Sequence, residues 1–346
     1  MKVKKISYRD AIREALDEEM SSDKRIILYG IDVADFKGIF GSTVGLKDKF
    51  KDRVFSTPLC EDTLVGFGLG AAISGLRPVN VQMRVDFLLL AMNQLANMVS
   101  SFHYGSGGKL KVPFVIRAII GKGWGQAYQH SKSMQSCFAH LPGLKVVMPT
   151  TPQDAKGLLI SAIRDENPVL VIEHRMLYDV VDDVSDTKAV PIGSANVLRV
   201  GRDVTIIATS YMNVEALQAA EILKKQGISA EVVDARSIYP LDEKTIFKSV
   251  SKTKHVIIAD CDWVYCGFGS ELAAQIGEKC FGILKSPIER LGFAPVPAPC
   301  TRPLENLFYP NAKTIVRSVE KKFKLPTIKI EDSELFTYEN KFRGPF

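Results

Sequence analysis

The sequence lacks several patterns that would indicate a function directly. It has six cysteines in 346 residues, and none of them forms a Cys-x-x-Cys pair, so we expect neither a zinc knuckle nor a dithiol redox site. Its five histidines show no spacing typical of a metal cluster. The longest apolar runs are far shorter than the roughly twenty residues that a membrane-spanning helix needs. The sequence shows no fixed-period repeat and no low-complexity tract.

A strong excess of one charge is also missing. The 45 basic and 39 acidic side chains leave a net charge of +6, and the densest basic cluster, EKKFKLPTIK, lacks the interleaved aromatic residues of single-strand binders. We therefore expect no nucleic-acid partner and no membrane contact. The first twenty residues contain no apolar signal core, and no transit peptide is seen. A cytoplasmic location is expected, or the mitochondrial matrix only if the source is eukaryotic.

Short apolar runs alternate with helical patterns along most of the chain. The strand-like runs of the first half include RIILYGIDV, RPVNVQM and VLVIEH. A polar, aperiodic stretch lies near residues 180–200, and after it the alternation restarts with DVTIIATS, SAEVVDA and HVIIAD. Such alternation is typical of parallel sheets covered by helices. The pattern predicts an α/β protein with two parallel-sheet, three-layer domains, at residues 1–185 and 186–325, and a C-terminal tail at 326–346.

Two glycine-rich stretches look like nucleotide-binding motifs but have the wrong spacing. The cluster Gly66, Gly68, Gly70 and Gly75 lacks the last glycine of a dinucleotide fingerprint, and it follows an acidic loop instead of a strand. GSGGK at residues 105–109 lacks the spacing of a phosphate loop and the Ser or Thr after its lysine. The first cluster is therefore predicted to be a helix that packs closely through its glycines.

Two residues are candidates for catalysis. Glu61 stands just before the apolar, glycine-rich run, where an acid stabilises a helix N-terminus, and the residues alone favour this role. A carboxyl group in an apolar pocket can instead hold or share a proton near neutral pH, with Asp62 left as the helix-terminal charge. His130 lies in a glycine-bearing loop, where a histidine is about as often an acid, base or anion ligand as a structural residue.

Several longer blocks point together to one family. They include TPLCED, GFGLGAAISGLRPV, YGSGGKLKVPFVIR, QHSKSM, HLPGLKVVMPTTPQDAKGLLISAIRDENPV and VVDARSIYPLD. In these blocks the chain resembles the beta subunit of the decarboxylating component of 2-oxoacid dehydrogenase complexes, of the pyruvate, branched-chain oxoacid or acetoin dehydrogenase type. The resemblance implies a transketolase-like pyrimidine-binding domain followed by a transketolase C-terminal-like domain.

The resemblance also implies an activity and partners. Such a subunit contributes to the oxidative decarboxylation of a small 2-oxoacid and to acyl transfer to lipoamide. In the superfamily a Gly-Asp-Gly signature holds magnesium and the diphosphate of thiamine diphosphate, and this signature is absent from the chain. In the two-subunit family it lies on the alpha subunit. The chain should therefore hold half of the thiamine diphosphate site and act only with an alpha subunit, in a heterotetramer of two alpha and two beta subunits. A lipoyl acyltransferase core is a further implied partner.

The same resemblance implies roles for individual residues. Glu61 would hydrogen-bond a nitrogen of the aminopyrimidine ring and favour the imino tautomer that activates the cofactor. Leu59, Met83 and Phe87 would line that ring, and His130 would assist with the substrate carboxylate and with acyl transfer. A structural potassium ion would be bound by a carboxylate oxygen and carbonyl groups from Phe114, Ala162, Ile163, Asp165 and Asn167.

Departures from the family pattern leave other functions open. Ile31 stands where relatives commonly have an acid, Arg84 is close to the pyrimidine-lining residues, and bulky Trp124 and Tyr128 occupy a loop that is often smaller. The stretch DCDWVYCGFG replaces a more acidic, glycine-rich sequence. One alternative is therefore a specialised relative that transfers an acyl unit to a non-lipoyl acceptor in a biosynthetic pathway. Another is a non-catalytic docking or stabilising subunit, against which the retained candidate catalytic residues argue. A split transketolase or deoxyxylulose-phosphate synthase half fits the potassium-site residues less well.

Overall fold

A seven-stranded sheet and a five-stranded sheet form the centres of two units in the computed structural model, which describes residues 3–121, 127–185 and 189–331. Unit 1 consists of Met1–Lys122, Cys137–Ile192 and Ile238–Pro240. Unit 2 consists of Gly123–Ser136, Gly193–Ser237 and Leu241–Phe346. The segment that carries His130 thus groups with unit 2. The boundaries predicted at residues 185 and 325 stay a prediction.

The described residues form strands and helices in regular alternation. The strands are β1 (Val3–Ser7), β2 (Ile26–Gly30), β3 (Val54–Ser56), β4 (Arg77–Gln82), β5 (Val115–Ile120), β6 (Lys145–Val147), β7 (Val169–His174), β8 (Val181–Ser185), β9 (Asn196–Arg199), β10 (Val204–Ala208), β11 (Ala230–Asp234), β12 (Ser237–Tyr239), β13 (Val256–Trp263) and β14 (Glu289–Phe293). The helices are α1 (Tyr8–Ser22), α2 (Leu46–Phe50), α3 (Glu61–Ile73), α4 (Val85–Leu88), α5 (Phe102–Gly105), α6 (Gln135–Ala139), α7 (Pro152–Arg164), α8 (Met212–Lys224), α9 (Glu243–Thr253), α10 (Phe268–Lys279), α11 (Arg302–Phe308) and α12 (Ala312–Phe323).

The sheet of unit 1 has the strand order β12-β6-β7-β5-β4-β2-β3. The pairs from β6 to β3 are parallel, and every residue of β2, β5 and β7 is buried. Strands of a parallel sheet are covered on both faces, which explains their nearly continuous apolar sequences. A separate two-stranded antiparallel sheet joins β1 to β8. The predicted α/β architecture is confirmed for this unit.

The sheet of unit 2 has the order β14-β13-β10-β11-β9. Strands β13, β10 and β11 are parallel, β14 is parallel to β13, and β9 runs antiparallel to β11 at the edge. The unit is therefore α/β as predicted, with one antiparallel edge strand that makes the sheet mixed.

A buried ion pair lies between β5 and β7. Arg117 Nε is 2.6 Å from Glu173 Oε1, and Arg117 Nη2 is 2.9 Å from Glu173 Oε2. The Tyr178 hydroxyl donates to the same carboxylate at 2.6 Å, and burial raises the pKa of that hydroxyl. Both charged side chains are almost fully buried, at 0% and 1% exposure. Removing one partner of such a pair is strongly destabilising, because the other charge would stay buried and uncompensated.

Helix α3 packs against unit 1 through one of its glycines. A Cβ atom at Gly68 would lie 2.2 Å from Phe114 Cζ and 2.5 Å from Tyr29 Oη, whereas one at Gly70 would meet nothing within 4 Å. The helix ends at Ile73, and Gly75, which follows the cap residue Ser74, has a φ of +97°. Leu76 N–H donates to Ala71 O at 3.0 Å. This is the hydrogen bond of a Schellman motif, in which glycine takes the left-handed position. The predicted close packing is thus confirmed at Gly68.

Helix α7 begins where its sequence predicts. The Thr151 hydroxyl accepts a hydrogen bond from Asp154 N–H at 3.0 Å, and Pro152 occupies the first turn, where its missing N–H costs nothing. By contrast, the polar-apolar sequence of residues 87–108 predicts one helix, and this prediction is wrong. The structure has α4, a 3-10 turn, a π-helical turn at Gln94–Val99 and α5 instead. Ser100 and Ser101 hydroxyls both donate to Ala96 O there, at 3.0 and 3.2 Å, and compete with regular backbone pairing. No helix in the described ranges is both long and apolar enough to span a bilayer.

Candidate active site

The predicted pyrimidine-binding residues lie at the carboxyl edge of the unit 1 sheet. Glu61 opens α3 shortly after β3, Met83 directly follows β4, and Phe87 lies in α4. Strands β3 and β4 both pair in parallel with β2, so the loops that follow them leave the sheet at the same edge. Ligands of parallel α/β sheets bind at this edge, outside the carboxyl ends of the strands. The structure therefore brings these residues to one side of the sheet.

The Glu61 side chain is buried but not paired. Its residue is 3% exposed, and none of the residues described by the structure hydrogen-bonds its carboxyl group. The residue before the helix, Cys60, provides no side-chain cap, and its thiol instead contacts Thr63 Oγ1 at 3.0 Å. The helix N-terminus favours a negative charge here. Neither carboxyl oxygen is among the fully buried side-chain atoms that lack a hydrogen bond, so a ligand can still reach the group. A carboxyl group in this position can form a hydrogen bond with a bound ligand.

Apolar residues that precede and follow Glu61 in the sequence have exposed side chains. Leu59 is 73% exposed and Phe87 is 36% exposed, while Met83 is partly buried. Arg84 is buried, although it lies between two pyrimidine-lining positions. Exposed large apolar side chains at a sheet edge are typical of surfaces that contact a ligand or partner. This combination of an unpaired acid with apolar neighbours fits an aromatic ring that carries nitrogen atoms.

His130 lies in unit 2, just after the 3-10 turn Ala127–Gln129, and is partly buried. Its backbone N–H donates to Ala127 O at 3.4 Å, as does the Ser131 hydroxyl at 2.6 Å, so a compact turn carries the imidazole. Trp124, singled out in the sequence, lies outside the described residues. The expected contribution of His130 to catalysis stays a prediction.

Two of the sequence departures line one cavity of unit 2. The cavity has a volume of about 550 Å³ and lies within unit 2. Its walls come from Tyr128, Lys132, Trp263, Tyr265, Pro295, Val296, Pro297 and Ala298. Tyr128 precedes His130 by two positions, whereas Trp263 and Tyr265 belong to the unusual stretch DCDWVYCGFG. The lining is mostly apolar and aromatic, which is typical of small-molecule pockets.

A pair of buried carboxyl groups in unit 2 was not predicted from the sequence. Asp260 and Asp262 lie near the end of β13, and each is 4% exposed. Burial raises the pKa of Asp260. Burial, together with the nearby Asp260 carboxyl group, raises the pKa of Asp262 to about 8. The available signal was the unusual DCD sequence, which by itself does not show what the acids contact.

Two of the predicted potassium ligands, Ile163 and Asp165, already bind cationic side chains. Arg77 Nη1 donates to Ile163 O at 2.9 Å and to Asp165 O at 3.0 Å. The Asp165 carboxylate accepts from Lys145 Nζ and, at 2.9 Å, from Asn167 N–H. The carboxylate is thus satisfied by the protein, so an ion here would depend on carbonyl groups. The structure leaves the potassium site a prediction.

The other two predicted ligands also use their carbonyl oxygens within the protein. Phe114 O accepts from Val169 N–H at 3.0 Å, and Ala162 O accepts from Asp165 N–H at 3.3 Å. Each carbonyl oxygen keeps a second lone pair. Within the described ranges, no three His, Cys, Asp or Glu side chains are grouped so that they could hold a metal ion.

Comparisons with known proteins cover both units. The transketolase pyrimidine binding domain matches residues 4–180, and the transketolase C-terminal domain matches residues 193–315. Among solved structures, a split gene transketolase described as an inactive beta4 tetramer aligns with a TM-score of 0.77 at 25% identity. This alignment covers 93% of the present chain and 99% of the transketolase chain.

Related proteins match almost end to end. The beta subunit of acetoin:2,6-dichlorophenolindophenol oxidoreductase from Cupriavidus necator is 41% identical over 332 residues, which is 93% of this chain and 98% of the relative. The 2-oxoisovalerate dehydrogenase subunit beta of Bacillus subtilis is 43% identical over 310 residues, 88% of this chain and 95% of the relative. The pyruvate dehydrogenase E1 component subunit beta of Rickettsia felis is 39% identical over 318 residues, 91% and 98% of the two chains. The chain therefore belongs to the transketolase-like family formed by the beta subunits of the decarboxylating component of 2-oxoacid and acetoin dehydrogenases.

Proposed function

We propose that the chain, together with an alpha subunit, decarboxylates a small 2-oxoacid of the pyruvate or branched-chain type, with thiamine diphosphate as cofactor and lipoamide as acyl acceptor. The relatives that bear these substrate names support the assignment. One structural observation carries it. A buried glutamate at the carboxyl edge of a parallel sheet has no hydrogen-bond partner in the described part of the chain.

The residues at this edge suit the pyrimidine half of the cofactor. Glu61 can hold a proton at its carboxyl group and share it with a ring nitrogen, because no described side chain competes for that proton. Phe87 and Leu59 offer apolar surface against which a flat ring can be oriented. Thiamine diphosphate supplies the electron sink for the loss of carbon dioxide. The protein's part is to orient the ring and to control the position of the proton.

The family acts with an alpha subunit, and we propose that this partner holds magnesium and the diphosphate. The missing Gly-Asp-Gly signature supports this division. We also propose a heterotetramer of two alpha and two beta subunits that delivers its acyl group to a lipoyl acyltransferase core. A potassium ion at the carbonyl groups around Asp165 belongs to the same proposal. Comparing thermal unfolding in potassium and sodium chloride checks the ion without an activity assay.

Replacing Glu61 with glutamine tests the proposal. In the chain reconstituted with its alpha subunit, E61Q should lower the rate of pyruvate-dependent dye reduction by about a hundredfold or more, since it removes an acid-base group. The matched control is D62N, because Asp62 is the next residue of the same first turn. Within the described residues, its carboxylate accepts only a long hydrogen bond of 3.5 Å from Gln94 Nε2. D62N should keep most of the activity.

Two outcomes would count against this function. An E61Q enzyme with nearly normal turnover would remove the catalytic role of Glu61 and favour a docking subunit. Efficient dye reduction without any acylation of lipoamide would favour the specialised relative with a different acceptor. The related proteins favour neither alternative.

A further inference from the structure

The segment that carries His130 is attached to the end of β13 by side-chain hydrogen bonds. Gln135 Nε2 donates to Asp260 Oδ1 at 2.8 Å, and the Ser136 hydroxyl donates to Asp262 Oδ2 at 3.0 Å. We call residues 127–136 the His130 segment. All of these residues belong to unit 2. The two contacts link parts of the sequence that are 125 and 126 residues apart.

The side-chain amide of Gln135 has a fixed orientation in the first of these two contacts. The Ser133 hydroxyl donates to Gln135 Oε1 at 2.6 Å, which turns the amide nitrogen of Gln135 towards Asp260. Thr209 Oγ1 also donates to Asp260 Oδ1, at 2.6 Å, and holds the carboxyl group from the side of β10. Gln135 is 0% exposed and Ser133 is 2% exposed. Breaking a buried bond to a carboxyl group leaves an amide donor unsatisfied, so these contacts are costly to open.

The geometry of β13 explains how its two acidic side chains can both contact the His130 segment. Alternate residues of a strand point to the same face, so Asp260 and Asp262 project together. Pairing between β13 and β14 is irregular between Ala259 and Trp263, which is where the acids lie. The Asp262 carboxyl group is further fixed by the Trp263 backbone N–H, which donates to it at 2.8 Å. The acids thus sit on a part of the strand whose ladder with β14 is interrupted.

We propose that Asp260 and Asp262 are positioning residues that hold the His130 segment, and through it the imidazole of His130, in the arrangement used for catalysis. The inference rests on the proposed function of His130. It extends that function to β13, because the positioning groups come from this strand of the unit 2 sheet. It also gives the unusual DCD sequence a role in the reaction.

Hydrogen exchange on the reconstituted complex tests whether the carboxyl groups hold the segment. Q135A and S136A remove the donors, and D260A and D262A remove the acceptors. Exchange in a peptide covering 127–137 should become about tenfold to a hundredfold faster in these variants. D260N should restore most of the protection, because an asparagine oxygen still accepts from Gln135 and Thr209.

A matched control separates this effect from general destabilisation. Ser249 is a buried residue of unit 2 whose hydroxyl donates to Glu231 and lies 2.8 Å from Thr205 Oγ1, and neither partner belongs to the His130 segment. S249A removes a buried hydrogen bond of the same kind, and it should leave both the exchange of the segment and the turnover unchanged. Q135A and D260A should lower kcat/KM at least about tenfold, with D260N close to the wild type.

The outcomes distinguish the two proposals. Unchanged exchange of the segment in Q135A and D260A would overturn the positioning role, whatever the activity. Faster exchange with normal turnover would also overturn it, provided that H130A is inactive. If H130A itself kept full turnover, the catalytic role of His130 would fall, and with it the link from positioning to the reaction.

Discussion

Replacing Gly68 with alanine adds a methyl group where the structure leaves no room for one. The new Cβ atom would lie 2.2 Å from Phe114 Cζ and 2.5 Å from Tyr29 Oη. Both rings are fully buried, at 0% exposure, so neither can turn away into solvent. The Tyr29 hydroxyl also donates to Leu64 O at 2.8 Å, and moving the ring would break this bond. The change therefore affects the helix that begins with Glu61.

The expected loss of stability follows from three contributions. Overpacking of a dense core costs about 1–3 kcal/mol. The lost hydrogen bond costs about 1 kcal/mol more. Alanine is a better helix former than glycine by about 1 kcal/mol, which offsets part of the loss. G68A should therefore lower the free energy of unfolding by about 1–3 kcal/mol.

Gly70 provides a control in the same helix. No atom lies within 4 Å of a Cβ built at Gly70, so G70A should gain the helix preference of about 1 kcal/mol without a clash. Urea unfolding of the full-length chain, followed by circular dichroism, gives both midpoints, and hydrogen exchange of the 61–73 peptide shows whether the change is local. Equal midpoints for the two variants would show that the tight contact at Gly68 is not what stabilises this helix.

Two further predictions concern buried ionisable groups. E173Q should lower the free energy of unfolding by about 3–5 kcal/mol, because Arg117 stays buried without its charged partner. The control E221Q changes an exposed carboxylate paired with Arg199 and should cost less than about 1 kcal/mol. Similar urea midpoints for both variants would contradict this prediction. The pKa of Asp262 is raised to about 8, so between about pH 4 and pH 8 the folded chain holds a proton that the unfolded chain releases, and this group makes stability fall as pH rises. D262N should therefore be more stable relative to the wild type at pH 8 than at pH 5, by up to about 1.4 kcal/mol per pH unit, and a difference that is the same at both pH values would refute the assignment.

The parts of the fold that the sequence predicted are those with local signals. The buried strands β2, β5 and β7 are mostly apolar, and α7 has its cap residue and proline in order. The missed elements lack such signals. Strand β1 is mostly exposed and β12 has three residues, so neither shows a recognisable alternation. Their pairing depends on distant parts of the chain.

The same distinction applies to the candidate site. Glu61 can be predicted from the sequence because an acid before an apolar helix is a local anomaly, and the family resemblance implies its role. The contact between Gln135 and Asp260 spans 125 residues and follows no pattern that one sequence can show. The potassium prediction depends on carbonyl groups, which every residue possesses, so the side chains themselves give little signal.

Strand β12 limits how the two halves of this chain can be separated. It lies beside β6 at the edge of the seven-stranded sheet, and Ile238–Pro240 belong to unit 1 although unit 2 begins far earlier in the sequence. A gene fragment that stopped at residue 192 would encode unit 1 without its last strand and would leave the backbone groups of β6 open to other molecules, a known cause of aggregation. Domain exchange between relatives should therefore transfer residues 237–240 together with the first half.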